Sequence, residues 1–519
     1  MKAPRLETRR QLWFTDPSKA IPVAVVPAAL AVYSNTFFNP FIFDDLEAIV
    51  ANPDIQNLAE IGDVLGGSAQ TPLGGRPVVA LTLAVNYALA GADVTGYHAV
   101  NLLVHVLNGL LVFGILRRSS VAPWIAGAVA LIWVVHPLNS EAVGYVVQRT
   151  ELLVALFFLL TLYCTIRGWY AAAVASCLLG MGSKEVMAGA PIAVLVYDGT
   201  FLSRSFGEAL RERRRLYLGL ASTWLVLALL VASGPRAESV RFDADVTAGT
   251  YLTTQATVIV HYLRLSVWPD PLVVDYFDWP VASGLADVLP AAILVCTLLG
   301  LTAWAVYRRI AAGMLGAWFF LILAPTSSVV PIVTELAAER RMYLPLIAVI
   351  TFILVAAHRA LRTATLPLAC AVGLVFGFMT IQRNMDYRTE TAIWSDAVGT
   401  RPGNARAHNN LATAWLKEGH AEEAIRHLTE AIRLQPGYAD ARHNLGFTYH
   451  VLGRHHEAIR ELEIALALDR TLAQARYFLA AAYLALGDRA SALEQESMLR
   501  ALDPPLAEAL RKRIAEAGG

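Results

Sequence analysis

The sequence predicts an all-α protein in two parts, a polytopic helical membrane domain followed by a solenoid of paired helices. Apolar residues make up 56% of the 519-residue chain and charged residues only 16%, against roughly 25% charged in soluble proteins. Residues 21–381 are a succession of apolar runs, whereas the sequence from residue 383 onward is charged and alanine-rich. The net charge is zero, so nothing points to nucleic acid as a partner.

The first apolar run, residues 21–38, is expected to be a membrane anchor. Basic residues precede it, namely Lys2, Arg5, Arg9, Arg10 and Lys19. Phe-Phe-Asn-Pro follows it instead of a small-residue cleavage site, which argues against a cleavable signal peptide. The positive-inside rule then places the amino end in the cytoplasm.

Further apolar runs indicate about eleven spans in all. They are residues 21–38, 97–116, 121–138, 150–166, 169–183, 186–202, 216–232, 286–306, 312–331, 342–357 and 364–381.

The stretch 251–268 is ambiguous because it contains Gln255, His261 and Arg264. If it crossed the membrane, Arg308-Arg309 and the group 358–362 would both lie outside. If it dips in and returns, both lie inside, as the positive-inside rule prefers. We therefore expect eleven spans with an extracytoplasmic carboxyl end.

The carboxyl-terminal part carries three ungapped repeats of 34 residues, 405–438, 439–472 and 473–506, followed by a cap to residue 519. The period superimposes Leu411, Leu445 and Leu479; Trp415, Tyr449 and Tyr483; Gly419, Gly453 and Gly487; and Ala424, Ala458 and Ala492. This is the tetratricopeptide pattern of stacked helix pairs. Glu496 stands where Leu428 and Leu462 stand in earlier repeats, which suits a solvent-facing cap.

These repeats set the expected domain boundaries. The membrane domain would occupy 1–382, with a first extracytoplasmic loop at 39–96, and a connecting half-repeat would occupy 383–404. The repeats either serve as a scaffold or hold a polypeptide in a concave groove lined by Asn410 and Asn444, which recur at one repeat position.

Ionisable residues cluster beside the apolar runs, where charge is costly and usually functional. In the predicted topology they share the extracytoplasmic side. They are Asp44, Asp45, Arg76, His98, His105, Glu141, Arg149, Lys184, Glu185 and Arg340. Basic residues on that side run against the positive-inside rule, so an anionic lipid head group is their expected partner.

This arrangement suits transfer of a sugar from a polyprenyl phosphate. An acceptor hydroxyl needs a carboxylate base, for which Asp44 and Asp45 are candidates. A departing phosphate needs fixed positive charge, for which Arg76, Arg149, Lys184 and Arg340 are candidates. His98, Glu141 and Glu185 complete the predicted donor site.

Several of these residues have plainer interpretations. Asp44 and Glu141 are also suitable helix caps, and His98 and His105 suit hydrogen bonding between helices. Lys184 suits an ion pair with Glu185. Asp275 and Tyr276 fit either a lining of the re-entrant stretch or a turn. The four cysteines, all inside apolar runs, are expected to be buried hydrophobic residues.

The order of motifs resembles the transmembrane O-mannosyltransferases that target cadherins, and their bacterial relatives, in the C-type (GT-C) glycosyltransferase superfamily. The motifs are Phe-Asp44-Asp45, Arg76-Pro77, Tyr97-His98-Ala-Val-Asn101-Leu-Leu-Val-His105, His136-Pro-Leu-Asn-Ser-Glu141, Lys184-Glu185 and Glu339-Arg-Arg-Met-Tyr-Leu-Pro345, followed by the repeats.

The resemblance implies an inverting transferase that uses a polyprenyl-phosphate-linked monosaccharide, typically mannose, with Asp44 and Asp45 as its catalytic acid pair. The repeats would recruit a protein acceptor. Only three complete repeats are present, and Gln148 precedes Arg149 where a small residue is expected. The composition favours a bacterial inner-membrane protein with periplasmic repeats. The sequence requires no cofactor, because adjacent acids alone are weak evidence for a divalent metal.

Two alternatives stay open. The same chemistry suits a glycolipid or polysaccharide acceptor. A non-catalytic transporter or assembly scaffold fits less well, because transporters typically show paired internal repeats and midplane charges.

Overall fold

The computed structural model describes residues 17–66, 71–119, 121–232, 246–328, 330–332 and 334–517, with side chains from residue 24 onward. The chain divides into two compact units. One, here called the membrane unit, comprises Met1–Val274 and Trp279–Thr389; the other, the repeat unit, comprises Asp275–Asp278 and Glu390–Gly519. The described residues contain helices and turns but no strand. This confirms the all-α class. The basic residues before residue 17 lie outside the described part.

Thirteen described helices of eight or more residues form the membrane unit. They are α1 Pro17–Tyr33, α2 Pro77–Ala90, α3 Val94–Leu116, α4 Pro123–Val134, α5 Arg149–Ile166, α6 Tyr170–Met181, α7 Ala190–Tyr197, α8 Arg214–Ala232, α9 Ala248–Val267, α10 Leu285–Tyr307, α11 Ala311–Leu323, α12 Pro345–Leu361 and α13 Thr365–Asp386. Shorter helices lie at Pro53–Gln56, Ile61–Gly66, Ser140–Gly144 and Phe206–Glu212. Pro77, Pro123 and Pro345 each start a helix, where a missing N–H costs nothing.

Six stretches in the described residues are long and apolar enough to cross a membrane, or seven if the bent pair Pro123–Val134 and Pro137–Gly144 is one span. One of the six, Pro345–Asp386, joins α12 and α13 through the turn Arg362–Ala364. Shorter apolar helices are present at Ala24–Thr36, Pro77–Ala90, Tyr170–Met181 and Ala311–Leu323. These helices make the unit a membrane protein by composition, while the count of eleven spans stays a prediction.

Residues 251–267 belong to α9, a single unbroken helix that ends before Trp268. Side chains of α9 form hydrogen bonds with the backbone of the segment between α11 and α12. Tyr251 donates to the Thr326 carbonyl at 2.7 Å, Gln255 donates to the Leu336 carbonyl at 3.0 Å, and Tyr262 accepts from the Ala338 N–H at 2.8 Å. The polar side chains of α9 thus find hydrogen-bond partners along its length, and re-entry of this stretch into the membrane stays a prediction.

Buried polar side chains in the membrane unit are hydrogen bonded between helices. His105 contacts the Tyr343 hydroxyl at 2.7 Å and the Val134 carbonyl at 3.0 Å, the structural role that we considered for it. Cys164 and Cys177 are buried as expected, but Cys296 and Cys370 are exposed. The expectation is wrong for those two, because they face outward from α10 and α13.

The repeat unit is a succession of helices: α14 Glu390–Thr400, α15 Ala405–Lys417, α16 Ala421–Leu434, α17 Ala439–Val451, α18 His455–Leu468, α19 Ala473–Ala485, α20 Arg489–Leu499 and α21 Pro504–Glu516. Small buried residues such as Ala424 and Ala458 let paired helices approach closely. Glu496 is 2% exposed and binds Arg500 through two hydrogen bonds of 2.8 Å. The expectation of a solvent-facing Glu496 is wrong, because α21 packs on the third repeat and covers it.

The segment Asp275–Asp278 packs within the repeat unit. The Asp275 carboxylate forms an ion pair with Arg406 and accepts from the Asn404 side chain at 3.1 Å. Asp278 forms an ion pair with Arg401 at 2.6 Å. Asp275 is therefore a partner of the first repeat.

Candidate active site

The acid pair follows α1 at a strained corner of the backbone. Phe43 has a φ of 51°, in the left-handed region that side chains other than glycine rarely adopt. The Asp45 N–H bonds the Ile42 carbonyl at 3.0 Å and the Leu46 N–H bonds the Phe43 carbonyl at 3.1 Å. This tight corner gives Asp44 and Asp45 different surroundings.

Asp45 is fully buried and accepts backbone hydrogen bonds with both oxygens. Oδ2 accepts from the Ile42 N–H at 3.2 Å, and Oδ1 accepts from the Val147 N–H at 2.7 Å. Burial raises the pKa of Asp45 to about 8, although these N–H groups act in the opposite direction. The carboxyl thus joins the first loop to the segment that precedes α5.

Asp44 is half-buried, and its backbone N–H donates to the Tyr145 hydroxyl at 2.9 Å. Burial is the main cause that raises the pKa of Asp44 to about 6, and the nearby Glu335 carboxylate adds to it. Arg340 and a hydrogen bond with Tyr145 lower the pKa. The result is a carboxylate poised to exchange a proton near neutral pH.

Arg340 connects two acids beside Asp44. Its Nη1 bonds Glu141 Oε1 at 2.6 Å, its backbone N–H bonds Glu141 Oε2 at 3.1 Å, and its Nη2 forms an ion pair with Glu335. These two carboxylates hold the pKa of Arg340 well above its ordinary value. Glu141 thus fixes a cation close to Asp44 and does not serve merely as a helix cap.

Lys184 forms an ion pair with Glu151 and not with its neighbour Glu185, the alternative interpretation. The extended backbone at Lys184 directs its side chain toward α5, where Glu151 lies in the first turn. Lys184 and Arg341 line one small cavity of about 10 Å³ with Glu151. Lys184 is thus paired with Glu151, whereas Arg341 donates to backbone carbonyls.

Arg149 and His98 brace the neighbouring helices. The Arg149 guanidinium is fully buried, and it donates to Asn101 Oδ1 at 2.8 Å and to the Tyr97 carbonyl at 3.0 Å. His98 Nε2 lies 3.0 Å from the Asn39 carbonyl, in the loop that leads to the acid pair. Both side chains therefore form hydrogen bonds that support the helices and the loop next to the acid pair.

Arg76 directly precedes α2 and donates to the Pro72 carbonyl at 3.1 Å. The Val78 N–H in the same turn bonds the Gly182 carbonyl at 3.2 Å, which brings the start of α2 beside the turn before Lys184. Glu185 is half-buried and begins the short turn Glu185–Gly189. Glu185 thus follows Lys184 directly in the chain, and Arg76 precedes a helix whose first turn is bonded to the turn before Lys184.

Two residues beside these groups were not predicted from the sequence: Tyr145 and Glu335. Arg341 lies in the Glu339–Pro345 motif and bonds the carbonyls of Thr326, Leu336 and Glu335. Tyr145 lies between the motifs at Glu141 and Arg149, and this position is the sequence signal that could have identified it. No local pattern marks Glu335. No three His, Cys, Asp or Glu side chains in the described part of the chain are grouped as a metal site.

In the repeat unit, the predicted asparagines belong to a line of amides. Asn444 Nδ2 donates to Asn409 Oδ1 at 2.8 Å, and Asn409 Nδ2 donates to Asn410 Oδ1 at 3.1 Å. Asn410 Nδ2 is buried and makes no hydrogen bond within the described residues. The line of amides crosses from the first repeat to the second, and the Asn410 amide nitrogen at its end has no partner among the described residues.

Comparison with known proteins gives relatives over most of the chain. The human protein O-mannosyl-transferase TMTC4 is 27% identical over 503 residues, covering 80% of this chain and 67% of the relative. The mouse protein O-mannosyl-transferase TMTC3 is 26% identical, covering 78% of this chain and 50% of the relative. The chain resembles the protein O-mannosyl-transferases.

The resemblance to protein O-mannosyl-transferases is confirmed across both units, and the chain spans between one half and two thirds of the length of these relatives. A tetratricopeptide repeat family matches residues 416–467. Among solved structures, a thermophilic TPR protein from Thermus thermophilus matches at 22% identity with a TM-score of 0.22, covering 32% of this chain and 95% of that one.

Proposed function

We propose that this protein is a membrane glycosyltransferase that moves mannose, or a similar hexose, from a polyprenyl phosphate to a serine or threonine hydroxyl of a protein, with inversion. The observation that carries the proposal is the half-buried Asp44 carboxyl beside Arg340 and Tyr145. The names of the protein O-mannosyl-transferase relatives support the reaction class.

Asp44 is assigned as the general base. A base works best when its pKa is close to the working pH, and burial raises the pKa of Asp44 to about 6. Asp45 is assigned as a positioning residue, because both its oxygens accept backbone hydrogen bonds.

The reaction is a single displacement at the anomeric carbon. The acceptor oxygen forms a bond to that carbon while its proton passes to the Asp44 carboxylate. The bond between the anomeric carbon and the phosphate oxygen breaks, and the polyprenyl phosphate leaves with the electron pair. One displacement on the face opposite the leaving group inverts the anomeric configuration.

Two cations are assigned to the departing phosphate: Arg340, which acts on Asp44, and Lys184. Arg340 and Lys184 are both paired with carboxylates, so each is already oriented before the donor arrives. A phosphate would compete with Glu335 and Glu151 for these cations. Arg provides a two-point hydrogen-bond fork for phosphate, and Lys provides a point charge.

The repeats are assigned to the protein acceptor. Asn410 and Asn444 lie on the amide line across two repeats. Backbone carbonyls of an extended peptide are the natural acceptors for such amides.

The test uses the full chain in membranes with labelled polyprenyl-phosphate mannose and a protein acceptor. Asp44→Asn should abolish transfer, because the amide cannot take up the proton. Asp63→Asn is the matched control, since Asp63 is an exposed acid of the same first loop, and it should retain wild-type activity.

Three outcomes discriminate. Full activity in Asp44→Asn removes Asp44 as the base. Label that enters lipid instead of protein replaces the protein acceptor with a glycolipid. Lys184→Ala should weaken donor use and so raise the KM for the donor, and an unchanged dependence of the rate on donor concentration removes its phosphate role.

A further inference from the structure

A second cavity lies in the membrane unit at the opposite end of the helices from Asp44. It has a volume of about 380 Å³ and is bounded by α3, α4, α5, α7, α11 and α12. On α12 it extends to Arg359, fourteen residues beyond Pro345, which is about 21 Å along a helix. On the same helix the lining begins at Ile347. None of the groups assigned to transfer is among the lining residues, so the cavity is separate from them.

The interior of this cavity suits a hydrocarbon chain. Its walls are mostly aliphatic and aromatic, with Leu159, Leu162 and Trp318 among them. The hydroxyls that line it are already satisfied: Ser119 bonds Tyr197 at 2.9 Å, and Thr351 donates to the Ile347 carbonyl at 2.6 Å. An occupant consequently needs no hydrogen-bonding group inside, and apolar cavities of this kind accept apolar ligands.

The rim of the cavity is basic. Arg359 lines it and is exposed, and no carboxylate pairs with Arg359 in the described ranges. Arg117 and Arg118 end α3 just before Ser119, which also lines the cavity. The exposed Phe352 on the same wall shows that the cavity opens to the surroundings of the bundle.

We propose that this cavity binds one anionic phospholipid, with an acyl chain inside and its phosphate at Arg359. The volume lies within the range of about 300–1,000 Å³ typical of ligand pockets. Basic pockets between membrane helices bind anionic lipid head groups. The combination of an apolar interior and an unpaired cation at its mouth selects this class of lipid.

The experiment is native mass spectrometry of the purified full chain, titrated with phosphatidylglycerol or phosphatidylcholine in detergent. The wild type should retain one phosphatidylglycerol in preference to phosphatidylcholine. Arg359→Gln should reduce that preference about fivefold, the factor expected for one basic residue at a head group. Arg308→Gln is the matched control, because Arg308 is an exposed arginine in the turn after α10 that does not line the cavity.

A second pair of variants tests the chain site. Ala356→Trp places a large side chain into the cavity and should abolish retention of the lipid. Ala360→Trp lies one turn further on the same helix, outside the cavity lining, and should behave as wild type, which controls for folding.

Equal retention of the two lipids by the wild type would overturn the proposal, as would wild-type retention by Ala356→Trp. Preferential retention of a polyprenyl phosphate over phosphatidylglycerol would also overturn it and assign the cavity to the donor tail. None of these outcomes depends on transfer activity.

Discussion

Two adjacent aspartates at one corner have different chemistry because their neighbours differ. Asp45 is enclosed and bonds backbone N–H groups on both oxygens, so it is part of the framework. Asp44 is half-buried beside Tyr145 and the cation Arg340. Phe43, directly before the pair, has a positive φ, and strain of this kind is commonly retained at functional sites.

The first prediction concerns the pH dependence of transfer. Because a base must be unprotonated to act, the rate should rise with pH through a midpoint near the Asp44 pKa of about 6. Tyr145→Phe removes a hydrogen bond that lowers this pKa, so its midpoint should move to higher pH. Rates of transfer measured between about pH 5 and 8, a range that includes the Asp44 pKa, give this shift.

Tyr163→Phe serves as the control, since Tyr163 lies near the end of α5 and packs against Trp169. It should keep the wild-type midpoint. A Tyr145→Phe midpoint equal to that of the wild type contradicts the coupling between Tyr145 and Asp44.

The second prediction concerns Asp45 and stability. Asp45→Ala leaves the buried N–H groups of Ile42 and Val147 without an acceptor, which should cost about 1–3 kcal/mol of unfolding free energy. Asp45→Asn keeps one oxygen acceptor and should cost less. Denaturant unfolding in detergent measures the difference, and Glu47→Ala at an exposed site is the control. Equal stability of Asp45→Ala and wild type would remove the framework role.

At this scale the sequence predicted residue types better than their roles. The acid pair, Glu141 and Arg340 were all selected from motifs. Of these four residues, Asp44, Asp45 and Arg340 lie around one corner with Tyr145. What separates Asp44 from Asp45 is Tyr145 and Val147, about a hundred positions away in the chain. Glu335 was missed because no spacing links it to Arg340 before the chain folds.

At the scale of elements, hydrogen bonding explains why α9 is polar without being interrupted. Its tyrosines and Gln255 form hydrogen bonds with successive residues of the segment between α11 and α12.

In the repeats, helices instead approach each other closely through small residues. A Cβ at Gly446 would lie 2.6 Å from Leu462 Cγ and 3.1 Å from the Ala458 carbonyl oxygen. That contact makes α17 and α18 intolerant of added volume.

The third prediction follows from this close approach. Gly446→Ala should destabilise the α17–α18 pair by about 1–3 kcal/mol, as overpacking of a tight core does. Hydrogen exchange of the full chain should show faster exchange confined to these two helices. Gly399→Ala is the control, because a Cβ there meets nothing within 4 Å. Unchanged protection in Gly446→Ala contradicts the packing argument.

The fourth prediction concerns the segment Asp275–Asp278. Arg406→Ala leaves the 7% exposed Asp275 without its cation, and breaking such a partly buried pair should cost about 1–3 kcal/mol. Hydrogen exchange should rise in a peptide spanning residues 272–279. Arg426→Ala removes an exposed arginine with only a distant partner at 3.8 Å, and it should leave that peptide unchanged. Equal exchange of this peptide in both variants would contradict the assignment of Arg406 as the partner that holds Asp275.

Element boundaries in the repeats were predictable, because a strict 34-residue period fixes each helix pair by local contacts. The shape of residues 251–268 was not, since it depends on partners at 326–338. Charge counting required only that both flanks lie on one side, and it carries no information on whether the stretch forms one helix. Glu496 was misplaced for a similar reason, because α21 carries no repeat signature.

At the scale of the whole molecule, the function proposed depends on which side of the membrane each unit faces. Basic residues such as Arg211 and Arg308 are expected inside, whereas Asp63 and the repeats are expected outside. Sidedness is a property of loop charge and not of internal packing, so labelling tests it directly.

The fifth prediction is made for single cysteines in a chain whose four native cysteines are alanine. An impermeant maleimide added to intact cells should label Asp63→Cys and Gly437→Cys, both exposed positions. Arg211→Cys and Arg308→Cys should react only after permeabilisation. Transfer needs the acceptor-holding repeats and Asp44 to meet the same compartment. Labelling of positions 63 and 437 from opposite sides would therefore rule out a repeat-bound protein acceptor, although Asp44 could still act on a different one.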